Sequence, residues 1–212
     1  MKKIAASILG KENKALLINK LIKEGIEIIH YDVMDGLFVP NTSLPLDEVL
    51  QLFNNTNPHY KDVHLMVQDP SKYIEKLIGF ANQVSIHIES KTSVPIKEII
   101  LKYNKKIKLG LAINPNTNIE DVYPYIKDIN HIMIMSVIPG KGGQKFIESS
   151  IEKISTLKKK ILEINPNLIT EIDGGINDVW GHIVFKKGVN IAVSGSYLIN
   201  EIDNNSIEKI LK

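Results

Sequence analysis

Residues 26–34 read IEIIHYDVM. Ile and Val of this density mark a strand, and a strand this apolar belongs in a core. Yet with the DGLFVP that follows, the stretch carries His30, Asp32 and Asp35 within six positions. Buried charge is costly unless it is paired or bound to a metal. Either the strand leaves the core, or a site lies on it.

Working outward, the same kind of short β-branched run returns along the chain. KIAASIL, KDVHLMV, QVSIHIE, KIKLGLAI, HIMIMSV, LITEIDG and NIAVSGS join IEIIHYDVM as strand candidates. Amphipathic segments separate them: KALLINKLIKEG, PSKYIEKLIGFA, SVPIKEIILKY, NIEDVYPYI, FIESSIEKISTLKKKILEI, NDVWGHIVFKKG and a closing NSIEKILK. SLPLDEVLQLFNN, after the second strand, has the weakest pattern. Strands alternating with helices imply parallel pairing and right-handed crossovers. Eight such units in 212 residues predict a single (β/α)₈ TIM barrel over residues 1–212, with an open doubly wound sheet as the alternative.

Composition narrows the function classes. The chain is 43% hydrophobic with a formal net charge of +2, too even a balance for a nucleic-acid protein. Its lysine triplet, Lys158–Lys160, sits in an amphipathic helical pattern and reads as a solvated face. With no cysteine, disulfides and thiolate metal sites are excluded, which fits a cytoplasmic protein. The start, MKKIAASILG, reads as a first strand because its apolar run, Ile4 to Leu9, is shorter than the roughly 7–15 residues of a secretory core. No apolar run approaches the roughly 18 residues of a membrane helix.

A barrel puts its chemistry at the C-terminal ends of its strands and in the loops that follow. Side-chain alternation puts His30, Asp32 and Met34 on one face, as it does Asp62, His64 and Met66, Met133 and Met135, and Glu171 and Asp173. If that face is the interior, histidines and carboxylates converge, with methionines beside them. Two imidazoles and two carboxylates suit zinc, iron or manganese. His87 and Glu89 share a face on the fourth strand and read as a supporting layer or as partners of the ligands. The loops PGKGGQ (139–144), DGG (173–175) and SGS (194–196) follow the last three strands. Glycine lets backbone N–H groups approach an anion, and three such turns point to a phosphorylated ligand.

Taken in order, SIL at Ser7, HYDVMDGLFVPN at His30, DVHLMV at Asp62, NPNT at Asn114, PGKGGQKF at Pro139, EIDGGI at Glu171 and SGS at Ser194 resemble the ribulose-phosphate 3-epimerase family through nearly the whole chain. The resemblance implies an isomerase that interconverts D-ribulose 5-phosphate and D-xylulose 5-phosphate in the pentose phosphate pathway, by proton transfer at C3 through an enediolate. It implies one divalent metal, zinc first, with Fe²⁺, Mn²⁺ or Co²⁺ as alternatives. By motif position the metal ligands are His30, Asp32, His64 and Asp173, and Asp32 and Asp173 are also the acid/base pair. Ser7 and His64 contact substrate, and Met34, Met66 and Met135 line its pocket. Gly140, Lys141, Gly142, Gly143, Gly174, Gly175, Gly195 and Ser196 hold the phosphate end. The partners implied are a small sugar phosphate and further copies of the chain in a homo-oligomer, with neither nucleic acid nor membrane.

The chain departs from the family pattern in places. Lys141 stands where an aromatic is usual, GKEN follows SIL where a small residue and an Asp are usual, and ANQ replaces the usual GAD before the fourth strand. The nearest alternative activity is 3-epimerisation of another ketose phosphate such as allulose 6-phosphate. Lyases and decarboxylases on related barrels resemble a D-x-K-x-x-D pattern, whereas the third strand here reads D-x-H-x-M. A barrel that binds a sugar phosphate without turnover is the non-enzymatic alternative.

Overall fold

The computed structural model describes residues 2–200 and 204–211; Met1, residues 201–203 and Lys212, which the 1–212 domain reading takes in, lie outside them. The strands are β1 (Lys3–Ser7), β2 (Ile28–Met34), β3 (Tyr60–Met66), β4 (Gln83–His87), β5 (Lys108–Ile113), β6 (His131–Met135), β7 (Ile169–Asp173) and β8 (Ile191–Ser194). They form a closed parallel barrel in chain order, and the helices are α1 (Lys14–Lys23), α2 (Leu46–Asn55), α3 (Ser71–Leu77), α4 (Ile96–Tyr103), α5 (Ser150–Ile164), α6 (Asp178–Lys186), α7 (Ser196–Asn200) and α8 (Asn204–Leu211). Pairing of Lys3 through Ala6 with Ile191 through Ser194 closes it and rules out the open sheet.

The main core lies between the barrel and its helices. Ile29, Tyr31 and Val33 of β2 and Val63 and Leu65 of β3 belong to it, as do Val49, Leu52 and Phe53 of α2 (Leu46–Asn55) and Ile154, Leu157 and Ile161 of α5 (Ser150–Ile164). Each such side chain, fully buried, is worth about 1.5–3 kcal/mol. The opposite parity on the strands fills the barrel interior. There the apolar clusters are small, and Asp62, Gln83, Ser85, His131 and Glu171 are buried among them.

Some segments differ from the sequence-based expectation. SLPLDEVLQLFNN, the weakest pattern, forms α2, opened by Pro45. NIEDVYPYI forms a 3₁₀ helix, Ile119–Tyr125, with Pro124 inside it. Proline lacks an N–H and clashes with the preceding turn, which disfavours a continuing α-helix. Residues 146–149 of FIESSIEKISTLKKKILEI precede α5 instead of starting it. NIAVSGS stops as a strand at Ser194, and a short helix, Ser196–Asn200, follows before α8 (Asn204–Leu211). Among the described residues no helix is long and apolar enough to cross a membrane.

Candidate active site

Strand register builds the site. Parallel pairing places Ser7 beside His30, His30 beside Asp62, Asp32 beside His64, and Met135 beside Asp173. The inward side chains of β2, β3 and β7 therefore meet. His30 Nε2 lies 3.4 Å from Asp32 Oδ1 and 4.0 Å from Asp173 Oδ2, and His64 Nδ1 lies 3.3 Å and 3.6 Å from the same two oxygens. All four residues offer ligand atoms within 4.8 Å of one another.

These spacings fit a metal ion. Ligands about 2.0–2.2 Å from a tetrahedral ion stand roughly 3.3–3.6 Å apart, which three of the four distances match, His30 to Asp173 at 4.0 Å being wider. His30 Nε2 and His64 Nδ1 are buried without a hydrogen-bond partner among the described residues, which is costly for a polar atom with no cation to meet. The outer nitrogens are occupied: His30 Nδ1 lies 2.5 Å from Asp62 Oδ2, and His64 Nε2 lies 2.8 Å from His87 Nε2. Burial disfavours charge on His30, but Asp62 and Asp32 outweigh it and push the imidazole well up. His64 is likewise raised, against its burial, by Asp173 and Asp32. Burial also opposes ionisation of Asp32, yet the two imidazoles hold its carboxyl far below the usual range. The carboxylates thus concentrate negative potential where a cation would sit.

Behind this cluster lies a polar layer. Gln83 donates through Nε2 to Asp62 at 2.8 Å and to Glu171 at 3.0 Å. Burial and the Asp62 charge push the Glu171 carboxyl well up. Ser85 and His131 share a hydrogen bond of 2.6 Å, and burial holds His131 down at about 4.

A cavity of about 440 Å³ opens over the cluster. Ser7, Asp32, Met34, Met66, Met135 and Asp173 line it, together with Gly140, Lys141, Gly142, Gly143, Gly174, Gly175, Gly195 and Ser196. His30 and His64 are fully buried behind the wall, so His64 faces the carboxylates and not the open cavity. Ser7 donates from Oγ to Asp32 Oδ2 at 2.9 Å, which orients the carboxylate. Gly174 and Gly175 have φ of +121° and +65°, and a Cβ would lie 2.4 Å from Val137 Cγ2 at the first and 2.5 Å from Phe146 N at the second. Among the described residues no backbone carbonyl accepts from the N–H groups of Gly174, Gly175, Gly195 or Ser196.

Several residues in and around the site escaped the sequence reading. Trp180 lines the cavity and stacks on Phe146 at 4.3 Å between centroids; Asn177 caps its helix by accepting from Trp180 N at 2.9 Å. Phe38 packs over His87 at 4.6 Å. His131 carried a usable signal, since it shares parity with Met133 and Met135 on one strand.

Comparison with known proteins shows the family. The model of the ribulose-phosphate 3 epimerase family matches residues 3–199. The chain belongs to the ribulose-phosphate 3-epimerase family. It is 36% identical to ribulose-phosphate 3-epimerase of Aquifex aeolicus, covering 100% of this chain and 96% of that one. It is 35% identical to the Bacillus subtilis enzyme of the same name, covering 96% and 94%. Among solved structures it resembles 3-hexulose-6-phosphate synthase from Salmonella typhimurium, with a TM-score of 0.68 at 13% identity over 99% of this chain and 96% of that one. That likeness is one of fold. As a member of the epimerase family the chain is an isomerase-class enzyme, and its buried His/Asp cluster fits the divalent metal site expected from the sequence.

Proposed function

We propose that this epimerase interconverts D-ribulose 5-phosphate and D-xylulose 5-phosphate by moving a proton at C3. The observation that carries the reading is the placement of Asp32 and Asp173. Both carboxylates reach the cavity, and both face the same two unpartnered imidazole nitrogens. C3 of a 2-ketose lies next to the carbonyl, so its proton is acidic enough for a carboxylate to remove. Removal leaves an enediolate, and inversion needs a proton returned on the opposite face, which the second residue supplies from its protonated carboxyl form. Positioned acid–base catalysis of this kind is worth roughly 10²–10⁴-fold.

The remaining roles follow from position. His30 and His64, with Asp32 and Asp173, would hold one divalent ion; two imidazoles and two carboxylates suit zinc, iron or manganese, and the family resemblance puts zinc first. When bound, the ion supplies Lewis-acid stabilisation of the charge that develops on the substrate. Ser7 keeps Asp32 aimed by donating to its Oδ2. The methionines form an apolar wall that excludes water from the reacting carbon. The Gly140–Gly143 loop, Gly174, Gly175, Gly195 and Ser196 offer backbone N–H groups to the phosphate, and Lys141 adds a cation at the rim. Holding the phosphate remotely fixes C3 against the carboxylates. A cytoplasmic homo-oligomer belongs to the same proposal. A relative from Oryza sativa, 32% identical, is named as a cytoplasmic isoform, and light scattering of the purified chain tests the assembly.

A coupled assay decides the substrate. Zinc-loaded protein is given D-ribulose 5-phosphate and D-allulose 6-phosphate in parallel. Turnover of the pentose phosphate with the higher kcat/KM is expected. Preference for the hexose phosphate, or turnover of neither, overturns the assignment.

A further inference from the structure

Both His30 and His64 need a hydrogen on one ring nitrogen and a bare lone pair on the other. For His30 the cause is direct, because Asp62 faces Nδ1 at 2.5 Å. For His64 the facing group is another histidine. We propose that His87 and Glu89 are a positioning pair that sets the tautomer of His64 and keeps its Nδ1 open toward Asp32 and Asp173. The proposal rests on the reading of this cluster as a metal site.

The deduction runs inward from Glu89. Its Oε1 accepts from Asn114 N at 2.8 Å and from the Thr117 hydroxyl, while its Oε2 lies 3.0 Å from His87 Nδ1. An ionised carboxylate only accepts, so the hydrogen of that bond is on His87 Nδ1. Neutral His87 then has a bare Nε2. That nitrogen stands 2.8 Å from His64 Nε2, and two bare nitrogens would repel, so His64 donates. In neutral His64, the form that can ligate a cation, Nδ1 is then left without a hydrogen. It is the atom that lies 3.3 Å from Asp32 Oδ1 and 3.6 Å from Asp173 Oδ2, buried and without a hydrogen-bond partner.

The surroundings make the pair rigid. His87 is fully buried, and the Phe38 ring, 4.6 Å away, covers it. Water therefore has no ready access to offer an alternative partner. Glu89 is fixed by the turn after β5, whose carbonyls at Asn114, Pro115 and Thr117 all accept from the Lys153 ammonium. A ligand on β3 is thus oriented by a carboxylate one residue removed, through groups on β4 and the β5 loop. Outer groups of this kind typically change metal affinity by about 10–100-fold.

The test uses the full chain, loaded with zinc and labelled with ¹⁵N-histidine. Long-range proton–nitrogen correlation spectra of the wild type should show His87 protonated on Nδ1 and bare on Nε2. Zinc affinity, read by competition with a chelator, should fall about 10–100-fold in Glu89→Ala and in His87→Phe. His87→Gln, whose amide oxygen can still accept from His64, should bind within about threefold of wild type. A role confined to packing would lower the melting temperature without this rescue. A proton on His87 Nε2 in the wild type, or wild-type zinc affinity in a folded Glu89→Ala variant, overturns the pair. The spectrum of the wild type decides the matter even if the variants do not fold. A wild-type chain that binds no zinc, iron, manganese or cobalt overturns the metal reading itself, a different result from a metal-loaded chain with the wrong His87 tautomer.

Discussion

The Asn41 side-chain amide donates to the Gly140 carbonyl at 2.8 Å, a bond that joins the loop after β2 to the loop after β6. The two loops also touch through Val39, since a Cβ on Gly140, which has φ +103°, would lie 2.9 Å from Val39 Cβ. One loop continues the strand of His30 and Asp32; the other carries the glycines at the rim of the cavity. Asn41→Ala should leave the barrel folded and loosen this clasp. A hydrogen bond worth about 0.5–1.5 kcal/mol corresponds to a rise in KM of roughly 2–12-fold, with kcat changed less. An unchanged KM in steady-state assays would mean that the clasp has no part in holding substrate.

Metal removal gives the second prediction. Chelation should lower turnover by at least about 100-fold, and a divalent ion should restore it. The metal-free chain should also melt lower, because a ligand at 100 times its Kd stabilises the native state by about 2.7 kcal/mol. His30→Ala and His64→Ala should each reduce bound zinc, measured by elemental analysis. Full activity in a verified metal-free sample contradicts the Lewis-acid role. Stoichiometric zinc in both variants contradicts the ligand assignment.

Lys141 is exposed at the cavity rim, where the family pattern has an aromatic. Its charge contributes uniform binding of an anion, so Lys141→Met should raise KM about 2–5-fold with little change in kcat. The effect should shrink as salt rises and screens the exposed charge. Identical kinetics at low salt would make Lys141 a solvated loop residue.

His131 predicts a pH effect on stability. Burial depresses its folded pKa to about 4, against an ordinary 6.5 when unfolded. Between those values the unfolded chain binds the extra proton. Stability from keeping His131 neutral is therefore complete above about pH 6.5 and is lost as pH falls toward 4. A shift of this size is worth roughly 3 kcal/mol. His131→Asn cannot titrate, so between pH 6.5 and 4 its denaturation midpoint should fall less steeply than that of the wild type, both compared metal-free. Parallel slopes would mean that His131 is not the group responsible.

Much of this was legible before the structure because barrel geometry is periodic. Parity on IEIIHYDVM and KDVHLMV put His30, Asp32 and His64 on one face, and the register of β2 with β3 makes that face shared. The sequence could not show that His64 turns away from the cavity, because that depends on the ring behind it. Phe38 over His87 and Trp180 on Phe146 join segments distant in sequence, and no local pattern encodes such a contact. The helix Ser196–Asn200 was hidden for another reason: SGS reads as a phosphate turn, and five residues are too few for an amphipathic period to emerge.

The two aspartates supply the most direct test of mechanism. If Asp32 and Asp173 serve opposite faces of C3, removing either base stops net inversion but leaves proton exchange on the other face. Asp32→Asn and Asp173→Asn should each lose conversion of ribulose 5-phosphate by at least about 100-fold, within the range of a lost acid–base group. In deuterated water each variant should still wash deuterium into C3 of one epimer, and the two variants should choose different epimers. Both residues also face the metal site, so a variant that merely loses its ion would mimic this loss. Metal content is therefore measured in the same samples, and only loaded protein is scored. Asparagine keeps the size of the side chain and one oxygen, which favours retention of the ion while removing the base. Ser7→Ala provides a further check: it removes the donor to Asp32 Oδ2 without replacing a proposed ligand, and should slow exchange at the Asp32 face more than at the other. A metal-loaded Asp173→Asn protein that interconverts the epimers near the original rate would rule out the two-carboxylate mechanism and leave Asp32 to carry out both transfers.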